Sequence, residues 1–180
     1  TPLYSSAASD VYKRQTGNSA DNHIIVDSIY ANSVIDGGPG ADRMVNDSGA
    51  AITYYVDDPH DQIVEKEFGS SVVSSISYSL AWPLESLTLL TGALVGEGND
   101  RANILRSESE DAQTLIGHGG NDTYYVHADD IVIESENEGL DRVYLDDRRV
   151  GRHHLVGPDH IEAFYVAPYT HGDITANGQS

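Results

Sequence analysis

The sequence has no cysteine among its 180 residues, which rules out a disulfide framework and any thiolate metal site. Positive charge is scarce: 10 Lys and Arg stand against 29 Asp and Glu, a formal charge of -19. Phosphate recognition needs a basic surface, so nucleic acid is excluded as a partner. A chain this acidic repels itself when compact unless protons, salt or bound cations relieve it, and cations are its natural complement. No run approaches ~18 consecutive apolar residues, so no helical membrane span is expected, and the first residues lack the basic-then-apolar pattern of a conventional secretory signal. Apolar residues make up 39% of the chain, below the ~45–50% of an average globular protein, so a large three-dimensional core is not expected from a chain of one-domain length.

What the sequence does have is glycine, asparagine and aspartate, placed between short β-forming runs. The first fifteen residues, TPLYSSAASDVYKRQ, share neither feature. Back-translation of Ser5 to Gln15 permits a DNA sequence that resembles a transposase adapter used in library preparation, and Thr1 to Tyr4 resemble the end of its primer. Residues 1–15 are therefore expected to be non-native and disordered, with Asp10, Lys13 and Arg14 carrying no function. The native sequence is expected to start near Thr16, within a fragment of something longer.

Internal repetition follows. TYYVDDPHDQIVEKE at 53–67 returns as TYYVHADDIVIESE at 123–136, and PLESLTLLTGALVGEGN at 83–99 has a weaker echo in 159–178. Two copies of a unit of about 70 to 80 residues are expected, 16–98 and 99–180, the second truncated at its C-terminal end. SSISYSLAW alternates Ile76, Tyr78 and Leu80 with serines, which predicts a half-buried strand. DRVYL and IEAFYV are short and rich in β-branched or aromatic residues. Turn residues recur every eight to twelve positions. Only RSESEDAQ at 106–113 suggests a helix, without an apolar face. The expectation is an all-β chain.

Two blocks stand out, DGGPGADRMV at 36–45 and GHGGNDTYYV at 117–126. Both read Gly-x-x-Gly-x-Asp-x-apolar: Gly37, Gly40, Asp42, Met44 and Gly117, Gly120, Asp122, Tyr124. Glycine tolerates positive φ, so such a loop can curl its carbonyls inward beside the carboxylate. That makes an oxygen-only environment suited to Ca2+, which takes six to eight oxygens, rather than to zinc or copper. The blander alternative is an Asp-capped surface turn that needs no ion.

The blocks resemble the glycine- and aspartate-rich nonapeptide repeats of the RTX (hemolysin-type) family, calcium-binding proteins exported by bacterial type I secretion. The spacer GGNDTYYVHADDIVIESENEGLDRVYL and the connecting turn GEGNDRANIL are also similar to that family. The resemblance implies a right-handed parallel β-roll or β-solenoid with short-strand spacers, in a secreted, extracellular protein. It implies calcium held between two loops on one edge of the roll. One candidate site combines Gly98, Asn99 and Asn103 with Gly117, Gly119, Gly120 and Asp122. The other combines Gly37, Gly38, Gly40 and Asp42 with a degraded partner near Gly17 to Asn22. His118 stands where the motif has its second glycine, Asn103 where a further aspartate would add charge, and NDSGAAI at 46–52 has lost its aspartate at the key position. The implied function is non-enzymatic: a structural module that folds on binding calcium after export. Two alternatives are a non-catalytic part of a secreted hydrolase or adhesin, whose protein or glycan target the sequence leaves unknown, and an acidic β-solenoid that needs no ion.

Other features favour ordinary explanations. His153, His154 and His160 cluster in sequence, but His153 and His154 are neighbours expected to point to opposite faces of a strand, which argues against their sharing one ion. No HExxH or GxSxG spacing occurs. Asp57-Asp58, Asp129-Asp130 and Asp146-Asp147 read as solvated edges, Trp82-Pro83 as a turn, and the tyrosines as packing residues with a polar tip.

Overall fold

The structure, a computed structural model, describes residues 3–4, 14–27, 33–127, 129–145, 155–156, 159–166 and 174–175. No helix occurs among them. The strands in the first part of the chain are β1 (Leu3–Tyr4), β2 (Arg14–Thr16), β3 (His23–Val26), β4 (Ser33–Asp36), β5 (Arg43–Asn46), β6 (Ile52–Val56), β7 (Gln62–Val64), β8 (Ser71–Ser74) and β9 (Tyr78–Ser79). They continue as β10 (Ser86–Leu89), β11 (Val95–Glu97), β12 (Ile104–Ser107), β13 (Thr114–Ile116), β14 (Thr123–Val126), β15 (Ile131–Ile133), β16 (Arg142–Leu145), β17 (Leu155–Val156), β18 (Ala163–Val166) and β19 (Ile174–Thr175).

Even-numbered strands from β2 to β18 form one nine-stranded sheet. The odd-numbered strands cover the other face in two four-stranded sheets, β1-β3-β5-β7 and β9-β11-β13-β15, while β17 and β19 pair separately. Because strands within each sheet pair in parallel with the strand two places on, the chain winds as a parallel β-solenoid of about 7 coils. Each coil has two strands and two loops, so the loops stack along two opposite edges.

The period-two pattern explains the winding. Ile35, Tyr54, Val72, Leu87, Leu105, Tyr124 and Val143 stand in register along the nine-stranded sheet and all are buried, as their alternation with exposed or half-buried neighbours requires. Ile24, Met44 and Leu115 face them from the opposite sheets within a single apolar cluster. This core is a narrow stripe one side chain deep from each face, which is how a chain of modest apolar content can still exclude water from its centre. The long repeat has its basis here: Tyr54 and Tyr124 occupy the same column, four coils apart.

Outside, Tyr125, Tyr144 and Tyr165 stack with ring centroids 5.1 and 4.7 Å apart, and the Arg106 guanidinium caps Tyr125 at 4.0 Å. These tyrosines pack, in this case as a ladder on the outer face.

Two expectations need correction. The helix expected at 106–113 is absent: Leu105 and Ser107 face inward with period two, and a sequence without an apolar helical stripe had nothing to hold a helix against the core. A turn follows, and the buried Gln113 amide donates to the carbonyls of Leu90 and Ala93, each at 3.0 Å. SSISYSLAW is not one strand. Ser74 Oγ donates to the Ile76 carbonyl at 2.7 Å and accepts from the Ile76 amide at 3.2 Å, a local bond pair that bends the chain before β9. Ile76 and Tyr78 still pack on the core and Leu80 is buried.

Strand pairing occurs before the expected native start: Leu3 and Tyr4 of β1 pair with Ile24 and Ile25, and Arg14 and Gln15 belong to β2. The Arg14 guanidinium lies 2.6 Å from Asp36. Most of residues 1–15, together with Asp146-Asp147, His153, His154 and the tail beyond Val166 apart from β19, lie outside the described residues. Trp82 is exposed in a turn with Pro83 buried behind it.

Candidate metal centre

Asp42 immediately precedes β5 and Asp122 immediately precedes β14. Those strands belong to opposite faces of the solenoid, so the two similar motifs lie on opposite edges. In both, the aspartate has a local structural task. Asp42 Oδ1 accepts the amide of Asn22, one coil earlier, at 2.7 Å, and Asp122 Oδ1 accepts the amide of Asn103 at 2.7 Å. The pattern continues: the Asp42 amide donates to Asp61 Oδ1 at 2.9 Å, that of Asp122 to Asp141 Oδ1 at 2.7 Å, and that of Asp141 to Glu162 Oε2 at 2.6 Å. A carboxylate before the strand thus caps the loop amide of the previous coil, much as an N-cap residue serves a helix.

Capping occupies one oxygen of each group. Asp42 and Asp122 are 1% and 0% exposed, and Oδ2 of each is buried without a hydrogen-bond partner. A charged oxygen in that condition is costly, so something must compensate it or the group must take up a proton.

On the Asp122 edge the compensation problem is larger. Glu134 and Asp141, both buried, come from the next coil, and one carboxylate oxygen from each of Asp122, Glu134 and Asp141 lies within 4.8 Å of the others. At an effective dielectric of about 20, unit charges at such a distance repel by roughly 3 kcal/mol per pair. Tyr124 OH donates to Glu134 Oε1, whereas Glu134 Oε2 is buried and unpartnered. Burial first, then the neighbouring Glu134, Asp141 and Glu138, pushes the Asp122 carboxyl up to about 8. Burial, then Asp141 and Glu138, pushes Glu134 up to about 7, and Asp141 is raised mainly by burial.

Gly117 makes this convergence possible. A Cβ there would collide with Tyr124 OH, Glu134 Oε1 and Asp122 Oδ2 together, so three oxygens share the space a side chain would have filled. His118, in the place of the motif's second glycine, keeps the backbone shape that glycine would have had: its φ is 67°, against 76° at Gly38.

The remaining expected residues are placed as follows. Gly98 lies against the Gly117 carbonyl, Gly119 beside Asp100 and Gly120 over Arg101 and Ala102, so the 98–103 and 117–122 loops do stack. Asn103 does not add a ligand to the carboxylate cluster. Its Oδ1 accepts the Asn99 amide at 2.7 Å and its Nδ2 turns towards the Leu84 and Glu85 carbonyls, while Asn99 Nδ2 donates to Leu84 at 2.9 Å. The acidic partners come from the following coil, not the preceding one. Glu134 and Asp141 were missed although EGLD at 138–141 repeats the Gly-x-Asp spacing, because the glycine-rich half of the motif is lacking there.

On the other edge, Gly37 lies against Asp42, Gly38 over the Asn18 carbonyl and Gly40 over Ala20. The Asp42 carboxyl is raised, first by burial and then by Asp61, Asp57 and Asp21. Among the described residues no second group of three ligating side chains converges as Asp122, Glu134 and Asp141 do. At 46–52, Asn46 Oδ1 accepts the Ser48 amide at 3.0 Å, and the turn's acid, Asp47, pairs with Lys66 at 2.5 Å.

The cluster's donors are all oxygen: three carboxylates and a phenol. This set fits a hard divalent cation such as Ca2+, not a metal that favours sulfur or imidazole. The chain matches no protein-family model, and no curated protein or solved structure matches it.

Proposed function

We propose that the protein is a calcium-binding structural module, an RTX-type β-roll from a secreted bacterial protein, and that it is not an enzyme. The observation that carries this reading is the meeting of Asp122, Glu134 and Asp141 in a buried space where Asp122 Oδ2 and Glu134 Oε2 have no hydrogen-bond partner. A divalent ion placed among them would replace mutual repulsion with attraction and satisfy both oxygens. The motif resemblance and the acidic composition support the same reading.

In this mechanism binding free energy becomes folding free energy, because the three carboxylates come from two successive coils and meet only when the coils are stacked. At low calcium the repulsion opposes stacking. At the calcium levels outside a cell the ion joins the coils, so export of a loose chain and folding after export follow from one equilibrium. Extracellular calcium modules bind at roughly 0.1–1 mM. Calorimetric titration with calcium, alongside circular dichroism in EDTA and in ~10 mM calcium, tests the proposal, that concentration lying above the weak end of the range. Saturable binding with a gain of β signal is expected, and Asp122→Asn/Glu134→Gln should abolish it. No heat and an unchanged spectrum would refute the proposal and favour an acidic solenoid held together without ions.

A further inference from the structure

The Tyr124–Glu134 pair has a counterpart one long repeat earlier. Tyr54 donates to Glu65 Oε2 at 3.0 Å, and the two tyrosines share a column of the nine-stranded sheet. Strand register fixes the other equivalences. Val45 pairs with Val64 and Ile116 with Ile133, so Asn46 beside Glu65 corresponds to Gly117 beside Glu134. Thr53 pairs with Ser71 and Thr123 with Arg142, so Ile52 and Ser70 correspond to Asp122 and Asp141. The capping bond is conserved in form: the Ile52 amide donates to Ser70 Oγ at 3.1 Å, where that of Asp122 donates to Asp141.

The chemistry differs completely. Glu65 Oε2 accepts from Ser70 Oγ at 2.5 Å and from Asn46 Nδ2 at 3.0 Å, in addition to the tyrosine. Its Oε1 accepts the amides of Lys66 at 2.8 Å and Glu67 at 3.0 Å. Every acceptor of this carboxylate is used by a donor of the chain itself. At the later position the Asn46 amide is replaced by the empty space at Gly117, the serine by Asp141 and the isoleucine by Asp122. Donors have been exchanged for carboxylates around the same Tyr–Glu pair.

We infer that the solenoid contains an ion-independent and an ion-dependent version of one junction, so that calcium orders the coils at 114–145 while those at 33–89 stand without it. The inference rests on the calcium reading above and specifies where in the chain it acts. Coils of a solenoid touch only their neighbours, so loss of order at one junction need not spread along the whole stack. Asp42, in the earlier part, keeps one free oxygen, but among the described residues no other two carboxylates converge on it. Asp61, Asp57 and Asp21 act on it electrostatically without forming a three-ligand group around it, so an ion there would meet fewer converging carboxylates than at Asp122. The protein is then a calcium-set extension built on a preformed base.

Hydrogen exchange on the full chain, read by mass spectrometry in EDTA and in ~10 mM calcium, tests this. Amides of β13, β14 and β16 should lose protection about 100-fold on calcium removal, the factor expected when the ion had been present at about 100 times its dissociation constant. Amides of β6, β8 and β10 should keep theirs. Equal losses in both regions, or a larger loss in the earlier one, would overturn the inference while leaving calcium binding intact. No change in either region would overturn both. Gly117→Asn/Asp122→Ile/Asp141→Ser, which transplants the earlier junction, should retain protection of β14 in EDTA. If that variant folds and still needs calcium as the parent does, the inference fails; if it does not fold, the exchange pattern of the unaltered chain decides.

Discussion

The loops ending at Asp42 and at Asp122 carry nearly the same motif, yet the molecule puts them in different electrostatic surroundings. Each aspartate is buried, caps an amide of the previous coil and keeps Oδ2 unpartnered. They differ in what the next coil brings. Beyond Asp42 comes the 57–61 loop, whose Asp61 accepts the amides of Asp42, Asp57 and Asp58 at 2.9, 3.2 and 3.3 Å. Beyond Asp122 come Glu134 and Asp141, which crowd it with charge. The motif therefore specifies half an arrangement, and the adjoining coil determines whether that half becomes a cluster of three buried carboxylates or a capped turn.

The largest effect should come from neutralising the crowded edge. Asp122→Asn/Glu134→Gln removes two like charges without changing side-chain size much. The variant is expected to lose the calcium stabilisation, about 2.7 kcal/mol when the ion is at 100 times its dissociation constant. In EDTA the order should reverse, because the parent retains the repulsion and the variant does not. Asp42→Asn should alter the calcium response by less than about 1 kcal/mol, the scale of a single hydrogen-bond exchange. Urea unfolding of the three proteins with and without calcium measures these differences. Equal losses from the two edges would remove the distinction drawn between them.

A second effect separates the regions by the sign of their pH response in the ion-free protein. Asp122 and Glu134 are raised to about 8 and about 7, above their unfolded values near 4, so the folded coil binds protons the unfolded chain does not. Stability from this source is fully present below about pH 4 and is lost as pH rises through about 7 to 8. At Glu65 burial would raise the carboxyl, but hydrogen bonds from Ser70, Asn46 and the Glu67 and Lys66 amides outweigh it and hold the group below its ordinary value. Its contribution is present above the unfolded pKa and disappears as pH falls through the lowered one. In EDTA, protection of β14 and β16, corrected for intrinsic exchange rates, should therefore decline between pH 5 and 8 while that of β6 and β8 does not. Calcium should abolish the decline, since the ion takes the place of the protons.

Much of the fold is visible in the order of residues. Alternation in TYYV, RVYL and the runs between them, punctuated by glycine and aspartate, is enough for parallel strands in a stack, because each inward residue needs only its counterpart one coil away. The same local rule shows why RSESEDAQ misled: its polar composition permits a helix, and only the coil lengths on either side place Leu105 and Ser107 on a sheet. Asp122 could be found because its motif concentrates three glycines before it. Glu134 and Asp141 matter through register: Ile116 beside Ile133 and Thr123 beside Arg142 bring them to Asp122. Counting forwards from Asp122 by the interval that separates it from Asn103 reaches Asp141, whereas the strand before Glu134 starts two residues early, Thr114 pairing with Ile131 where Val95 pairs with Thr114, and this hides Glu134 from a fixed-spacing count.

The smallest effect probes the backbone on which both motifs depend. Gly38 and His118 hold equivalent left-handed conformations, with φ of 76° and 67°, but only one is glycine. A side chain with a Cβ pays roughly 1–2 kcal/mol in that region, partly returned because glycine has more freedom to lose from the unfolded chain. His118→Gly should consequently stabilise the 117–122 loop by about 0.5–1 kcal/mol. Gly38→Ala should destabilise its loop by about 1–2 kcal/mol, the more so because the added Cβ would stand 3.1 Å from the Asn18 carbonyl oxygen. Opposite signs in thermal unfolding at fixed calcium are expected. If His118→Gly were instead destabilising, the His118 imidazole, 3.6 Å from Glu97 Oε2, would be worth more than the strain it accompanies. The two loops would then differ in their backbone support as well as in their charge.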